Sequence, residues 1–246
     1  MKVVFLGAGK GMGRALTRAM AQRGAQLFLL GRDLDDLRRS AADLEILGAA
    51  SPVGAAFCDL LQPQTFAPAL DAATAHLGDV DTVVITAGLF ATQDELEADA
   101  QRTERLLTAN FTNTILFAEA ARRRLLARGG GTLCVFSSVA GERGRKPVIL
   151  YGAAKAGLSR YLEGLDHKFR AQGLHVVTVK PGFVATKMTE GMELPGLLTA
   201  KPEQIAKAIF KAYKTKKGTL YYFPVWRQLM FIIRNVPEFV FVKTKL

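Results

Sequence analysis

Tyr151 and Lys155 stand four residues apart at the start of a segment with helical periodicity, a spacing that puts both side chains on one face, a turn apart. A phenol with the ordinary pKa of ~10 rarely loses its proton at neutral pH, but a neighbouring ammonium favours the phenolate. The pair can then serve as an acid or base. Ser138 lies thirteen residues upstream, at the end of a predicted strand, where a loop can bring its hydroxyl to the same reacting oxygen. Ser137 is the competing hydroxyl. Taken singly, a Tyr-x3-Lys spacing is common by chance, and its bland form is a helix start with a surface lysine. The setting gives it weight.

Gly7-Ala8-Gly9-Lys10-Gly11-Met12-Gly13 joins the first predicted strand to a helix. At that placement backbone amides and a helix N-terminus can hold a pyrophosphate, and glycine is needed because a Cβ would block the tight turn and the approach of the phosphate. A dinucleotide is therefore expected. The second strand ends at Gly31-Arg32, where an acid would accept from a ribose 2′-hydroxyl and a cation accommodates a 2′-phosphate. Arg32, with Lys10 as a second cation, favours NADPH over NADH. Asp33 would face the ribose if the turn were shifted by one residue, leaving Arg32 a solvated loop charge. Asp59, after the third strand, has two open roles: bonding the adenine amino group with Leu60 packed on the ring, or capping a helix. Thr86-Ala87-Gly88 ends the fourth strand with small residues that let the backbone pass close to the cofactor.

Those residues need a frame. Apolar runs predict strands over Lys2–Leu6, Gln26–Leu30, Val53–Cys58, Thr82–Thr86, Thr132–Phe136, His175–Lys180 and Thr219–Phe223. Between them, Arg14–Arg23, Asp35–Leu47 and Ala153–Arg170 carry apolar residues at three- and four-residue spacing. The alternation predicts an α/β Rossmann fold: a doubly wound, seven-stranded parallel sheet flanked by helices. At 246 residues, without repeats or a linker, one domain over 1–246 is expected, with a basic apolar C-terminal extension at about 224–246.

Composition narrows the classes further. Cys58 and Cys134 sit in apolar stretches without CxxC or Cys/His spacing and read as reduced core thiols. His76, His167 and His175 are scattered, so no metal is expected. Val3–Leu6 runs straight into the glycine loop without a secretory pattern, and no run approaches a membrane span, so the expected location is cytoplasmic. The net charge of +11 is lopsided: from Lys201 to Leu246 there are ten Lys/Arg against Glu203 and Glu238. Such a tail attracts anionic membranes, acidic carriers or nucleic acid.

Together these residues resemble the short-chain dehydrogenase/reductase family, across essentially the whole chain. The matching elements are Gly7-x3-Gly11-x-Gly13, Asp59, Ala87-Gly88, Asn110, Ser138, Tyr151-x3-Lys155 and Pro181-Gly182. The resemblance implies Tyr151 as proton donor, Ser138 as the carbonyl-orienting hydroxyl, and Lys155 as both ribose ligand and the cation that tunes Tyr151. It implies that Asn110 holds a water of the proton relay. Pro181, Gly182, Val184 and Thr186 resemble the segment that grips the nicotinamide and phosphates. Leu6 and Thr86 depart from the family's usual threonine and asparagine, which predicts weaker bracing of the loop. A homodimer or homotetramer through the Asn110 and Tyr151 helices is implied too.

Ser137–Arg143, Val184–Thr189 and the tail around Pro224 and Ile232–Pro237 resemble reductases of polyprenylphosphoryl keto-sugars, which implies a lipid-linked ketone. The tail reads in two ways. Trp226, Leu229, Met230, Ile232 and Ile233 with Arg227 and Arg234 could lie in a membrane interface as a peripheral contact, or the stretch could pack on the protein. Phe183–Ala200 has the breaks of a mobile lid or of an ordinary surface loop. The competing functions are a 3-ketoacyl-type reductase docking an acidic carrier and a nucleotide-sensing protein without catalysis. The set of Ser138, Tyr151, Lys155 and Asn110 counts against the latter, and the absence of a nucleic-acid motif counts against nucleic-acid binding.

Overall fold

The apolar runs of the central strands are buried on both faces, as a helix-covered parallel sheet requires, and those at the two edges only in part. In the computed structural model, which describes residues 1–50, 52–186, 196, 199–214 and 218–244, they form β1 (Lys2–Leu6), β2 (Gln26–Gly31), β3 (Gly54–Phe57), β4 (Thr82–Ile85), β5 (Gly131–Phe136) and β6 (Leu174–Pro181). Two short strands, β7 (Phe183–Val184) and β8 (Thr199–Ala200), pair with each other, and β9 (Thr219–Tyr222) returns to the main sheet. The seven-stranded sheet has the order β3-β2-β1-β4-β5-β6-β9, parallel throughout. The expected sheet is the observed one, with the ends of its strands moved by at most one residue.

Strand order reverses between β1 and β4, so the loops after these strands diverge and leave a crevice at their carboxyl ends. On one face lie α1 (Gly11–Ala21), α2 (Leu34–Ile46) and the later α8 (Pro202–Lys214), their Leu16, Leu37 and Ile209 packed against Phe5, Leu27 and Val179 of the sheet. The other face carries α3 (Phe66–Leu77), α6 (Asn113–Ala127) and α7 (Ile149–Phe169), with Leu70, Phe117 and Leu158 against Val4, Ile85 and Val135. Two short helices, α4 (Gln93–Ala98) and α5 (Ala100–Leu107), form a satellite cluster in which Leu96 and Leu106 meet Ala154 and Tyr151 of α7. The chain ends in α9 (Val225–Asn235) and α10 (Glu238–Phe241). Cys58 and Cys134 are buried free thiols, pushed up by burial to about 11 and about 12.

The tail therefore packs on the protein along one face. Trp226, Met230 and Ile233 are buried with Val139, so of the two readings of the tail these three follow packing on the protein. The expected lid over Phe183–Ala200 has its two ends joined by the β7–β8 pairing, while 187–195 and 197–198 lie outside the described residues.

Candidate active site

A cleft of about 770 Å³ opens at the β1/β4 crevice, within the range of small-molecule and cofactor sites. Its wall includes Gly7, Gly9, Lys10, Gly11, Met12, Gly13, Arg32, Asp59, Leu60, Ala87, Gly88 and Thr186, so twelve of the residues predicted to hold a cofactor face one space. The loop is built to be thin. Gly7 has φ +97°, and a Cβ there would come within 2.6 Å of both Ala87 N and Thr86 Oγ1; at Gly13 a Cβ would collide with the Gly7 carbonyl. Lys10 precedes α1 without a side-chain cap, which leaves the helix's first amides for a bound anion. Thr186 touches the space beside Gly11, where a Cβ would lie 3.3 Å from its methyl. These features fit the phosphates of a dinucleotide.

Thr86 takes part in bracing the loop. Its hydroxyl donates to the Gly7 carbonyl at 3.0 Å, and its backbone N–H and that of Ala87 bond the Leu6 carbonyl at 2.9 and 3.2 Å. A shorter side chain does the tethering, and the buried Leu6 contributes through its backbone.

At the ribose end, Asp33 accepts from Asp36 N–H at 2.9 Å and so caps α2. Asp36 in turn pairs with Arg14 at 3.1 Å and Arg39 at 3.8 Å. Both carboxylates are thus engaged with α1 and α2, whereas Lys10 and Arg32 have no acidic partner among the described residues. Asp59 does not cap a helix. Its Oδ1 accepts from Leu61 N–H at 2.9 Å, two residues on, and Thr65 Oγ1 receives its own N–H at 3.2 Å. The side chain is fixed at the cleft wall with one oxygen engaged.

The second half of the site is carried by α7. Glycine contacts bring its neighbours flush: a Cβ at Gly141 would come within 2.6 Å of Ala156 N, and one at Gly157 within 2.7 Å of the Phe111 ring. The turn after Ser138 and the Asn110 turn can therefore both lie on this helix. Tyr151 is in its first turn, hydrogen-bonded to Ser138, with Phe90 of the cleft wall edge-on to its ring at 5.2 Å. Burial pushes the phenol up to about 12 although the Ser138 hydroxyl pulls it down. One turn on, Lys155 is buried, donates to the Phe136 carbonyl at 3.0 Å, and lies 5.8 Å from the centre of the Tyr151 ring. Burial without an anionic partner lowers its ammonium to about 8.

The two hydroxyls separate cleanly. Ser137 is buried and bonded to Ser159 Oγ at 2.7 Å and the Lys155 carbonyl at 3.0 Å, so it braces α7. Ser138 accepts from Ala140 N–H at 3.1 Å and faces Tyr151. Asn110 sits in a π turn over Thr108–Thr112, and its side-chain amide is bonded at both ends, to Leu89 N–H and Leu89 C=O, each at 2.7 Å. Gly88 joins the halves: a Cβ on it would lie 3.0 Å from Asn110 Oδ1 and 3.8 Å from Lys155 Nζ.

Pro181 ends β6 opposite Tyr222, and Gly182 N–H donates to the Tyr222 carbonyl at 3.0 Å while the Trp226 indole covers its Cα. Val184 is buried in β7. This segment is thus attached to the tail as well as leading to Thr186 at the cleft.

Spacing gave no sign of three further contributors. Gln93 Oε1 accepts from Leu150 N–H at 3.2 Å and so caps the entry to α7 from 57 residues away. Phe90 is the edge contact to Tyr151. Glu142, 3% exposed, binds Lys180 at 2.6 Å, Tyr221 OH at 3.0 Å and Arg234 at 3.2 Å. Burial opposes its ionisation, but Lys180, Tyr221 and Arg234 together hold its carboxyl below the usual range. A carboxylate so far in sequence from its three partners leaves no pattern in the chain.

The family description "short chain dehydrogenase" matches residues 1–194. An uncharacterised oxidoreductase of Mycobacterium tuberculosis is 31% identical over 238 residues, covering 97% of this chain and 94% of that protein. Carbonyl reductase family member 4 of Xenopus tropicalis is 28% identical over 210 residues, covering 82% and 86%. A solved short-chain type dehydrogenase/reductase from Mycobacterium marinum shares the fold with a TM-score of 0.81 at 25% identity, over 89% of this chain and 93% of that one.

Proposed function

The chain belongs to the short-chain dehydrogenase family and is an oxidoreductase; from that premise we propose that it is an NADPH-dependent reductase converting a ketone to a secondary alcohol, with Tyr151 as proton donor. The observation that carries this reading is the meeting of Ser138, from the turn after β5, with Tyr151 and Lys155 of α7 beside a cleft shaped for a dinucleotide. We treat residues 1–246 as one catalytic domain, with the tail as its extension.

When bound, the nicotinamide supplies the hydride. Tyr151, held neutral by burial, keeps a proton at pH 7 and can deliver it from its phenol oxygen to the developing alkoxide. Ser138 holds the ketone oxygen beside that phenol. Lys155 holds the ribose and places its charge near the Tyr151 ring, which favours the phenolate once the proton has left. Asn110 is assigned the water that refills Tyr151; its side chain is spent on Leu89, so that contact would come from the main chain of the π turn. Pro181, Gly182, Val184 and Thr186 hold the nicotinamide end.

Arg32 and Lys10, both without acidic partners among the described residues, support NADPH over NADH: a 2′-phosphate would neutralise charge that a 2′-hydroxyl would leave bare. Resemblance of the tail favours a lipid-linked keto-sugar as substrate, at the inner face of the membrane, and the name of the Xenopus relative supports carbonyl reduction. Assembly is proposed as a homodimer or homotetramer through α6 and α7. Oxidation of NADPH against a panel of ketones, with a lipid-linked keto-sugar and an acetoacetyl thioester included, tests the substrate class; turnover of the thioester alone would make it a 3-ketoacyl reductase. In the same assay Arg32→Ala should raise KM for NADPH about tenfold while leaving KM for NADH near its starting value. An unchanged NADPH value would remove Arg32 from the site.

A further inference from the structure

We propose that the outer faces of α9 and α10 form a surface that docks on an anionic lipid bilayer. Eleven large apolar side chains are exposed among the described residues, and five of them, Val225, Phe231, Ile232, Phe239 and Val240, fall in these last two helices, with a sixth, Val242, directly after α10. Scattered apolar exposure is ordinary; this concentration is not. The inner face of α9 already has its core in Trp226, Met230 and Ile233, so folding makes no demand on Phe231 at 61% exposure or Phe239 at 71%.

Charge selects the occupant. Arg227, Phe231 and Arg234 follow one another at four- and three-residue spacing, an aromatic between two guanidinium groups on one stripe. From Pro224 onward the sequence has Arg227, Arg234, Lys243 and Lys245 against Glu238 alone. Arg234 is shared with Glu142 and stays 45% exposed. A symmetric pairing of two copies through this face would set Arg227 and Arg234 against their own kind, with one carboxylate from each copy to offset them. A bilayer with anionic headgroups meets the same surface with the opposite charge and accepts the phenylalanines at the acyl boundary.

The surface is joined to the catalytic segment. Arg143 donates to the carbonyls of Ile233 and Val236, each at 2.6 Å, and lies 3.8 Å from the centre of the Phe241 ring; Lys146 donates to Thr244 O at 2.7 Å. Both cations belong to the stretch between Ser138 and Tyr151. A bilayer held by α9 and α10 thus lies next to the segment that a lipid-borne ketone must reach. The inference deepens the lipid-linked reading of the substrate and rests on it for purpose only.

The test is co-sedimentation of the full chain, without substrate, with vesicles of equal parts phosphatidylglycerol and phosphatidylcholine. Wild type should bind and be released by salt. The double variant Phe231→Asp, Phe239→Asp should lose about tenfold or more of that binding, with unchanged elution volume and unchanged NADPH oxidation on a soluble ketone. Failure of wild type to sediment, equal sedimentation of the two proteins, or equal binding to phosphatidylcholine alone would overturn the proposal. So would a variant that elutes as a smaller species, which would make this face a subunit contact. Absence of any ketone reduction would instead defeat the proposed function and leave the vesicle result standing.

Discussion

The glycine loop, which lines the cofactor cleft, and the C-terminal tail, which clasps the segment ahead of α7, are held by opposite means. At the loop, backbone lies against backbone: Gly7 and Gly13 are thin enough to pass Ala87 and Thr86, and the bonds are those of β1, β4 and one threonine hydroxyl. At the tail, side chains carry the attachment: Glu142 gathers Lys180, Tyr221 and Arg234, while Arg143 and Lys146 bond the carbonyls of Ile233, Val236 and Thr244. A backbone cradle has one shape and tolerates no added atom. A side-chain clasp can loosen by degrees, and its loss should be felt in stability and substrate access before cofactor binding.

Two substitutions separate these modes. Gly13→Ala inserts a methyl against the Gly7 carbonyl; overpacking of this kind costs about 1–3 kcal/mol, so NADPH affinity measured by fluorescence titration should fall roughly 10–100-fold. Affinity within twofold of wild type would mean that the cradle yields. Glu142→Gln strands Lys180 and Arg234; with Arg234 half exposed the cost is about 2–3 kcal/mol, less than for a fully buried pair. Scanning calorimetry should show Tm lower by roughly 5–10 °C, with NADPH affinity preserved. If Glu142→Gln weakened NADPH binding as much as Gly13→Ala, the two regions would not be independent.

A smaller effect concerns the helix between them. The Lys155 ammonium is lowered to about 8, so it is charged below that pH and neutral above it, while Tyr151 at about 12 stays protonated across the range. The kcat/KM for NADPH, which reports groups of the free protein, should therefore decline as pH rises through about 8. A flat profile to pH 10 would remove the charge of Lys155 from cofactor capture.

What could be read in the chain followed the range of the forces involved. Seven strands were visible because their apolar runs are local, and Tyr151, Lys155 and the glycine loop because a helix turn and a tight turn have fixed spacing. Ser138 is preferred to Ser137 in the sequence by resemblance, but the physical reason, that Ser159 takes up the Ser137 hydroxyl, comes only from the fold. The bracing by Thr86 is invisible in residue type alone, because it depends on the Gly7 carbonyl that the hydroxyl reaches. Trp226 shows the same limit: an apolar, basic stretch says that one face is to be buried, but only packing against Val139 and Gly182 says which. Glu142 left no trace, since Lys180, Tyr221 and Arg234 are brought to it by the fold.

The central claim is that Tyr151 gives the proton while the rest of the site holds cofactor and ketone. Tyr151→Phe keeps the ring against Phe90 and removes only the hydroxyl. NADPH affinity should stay within about twofold of wild type, and single-turnover ketone reduction should slow by ~10³-fold or more. Reduction within tenfold of wild type, with NADPH bound normally, would contradict it.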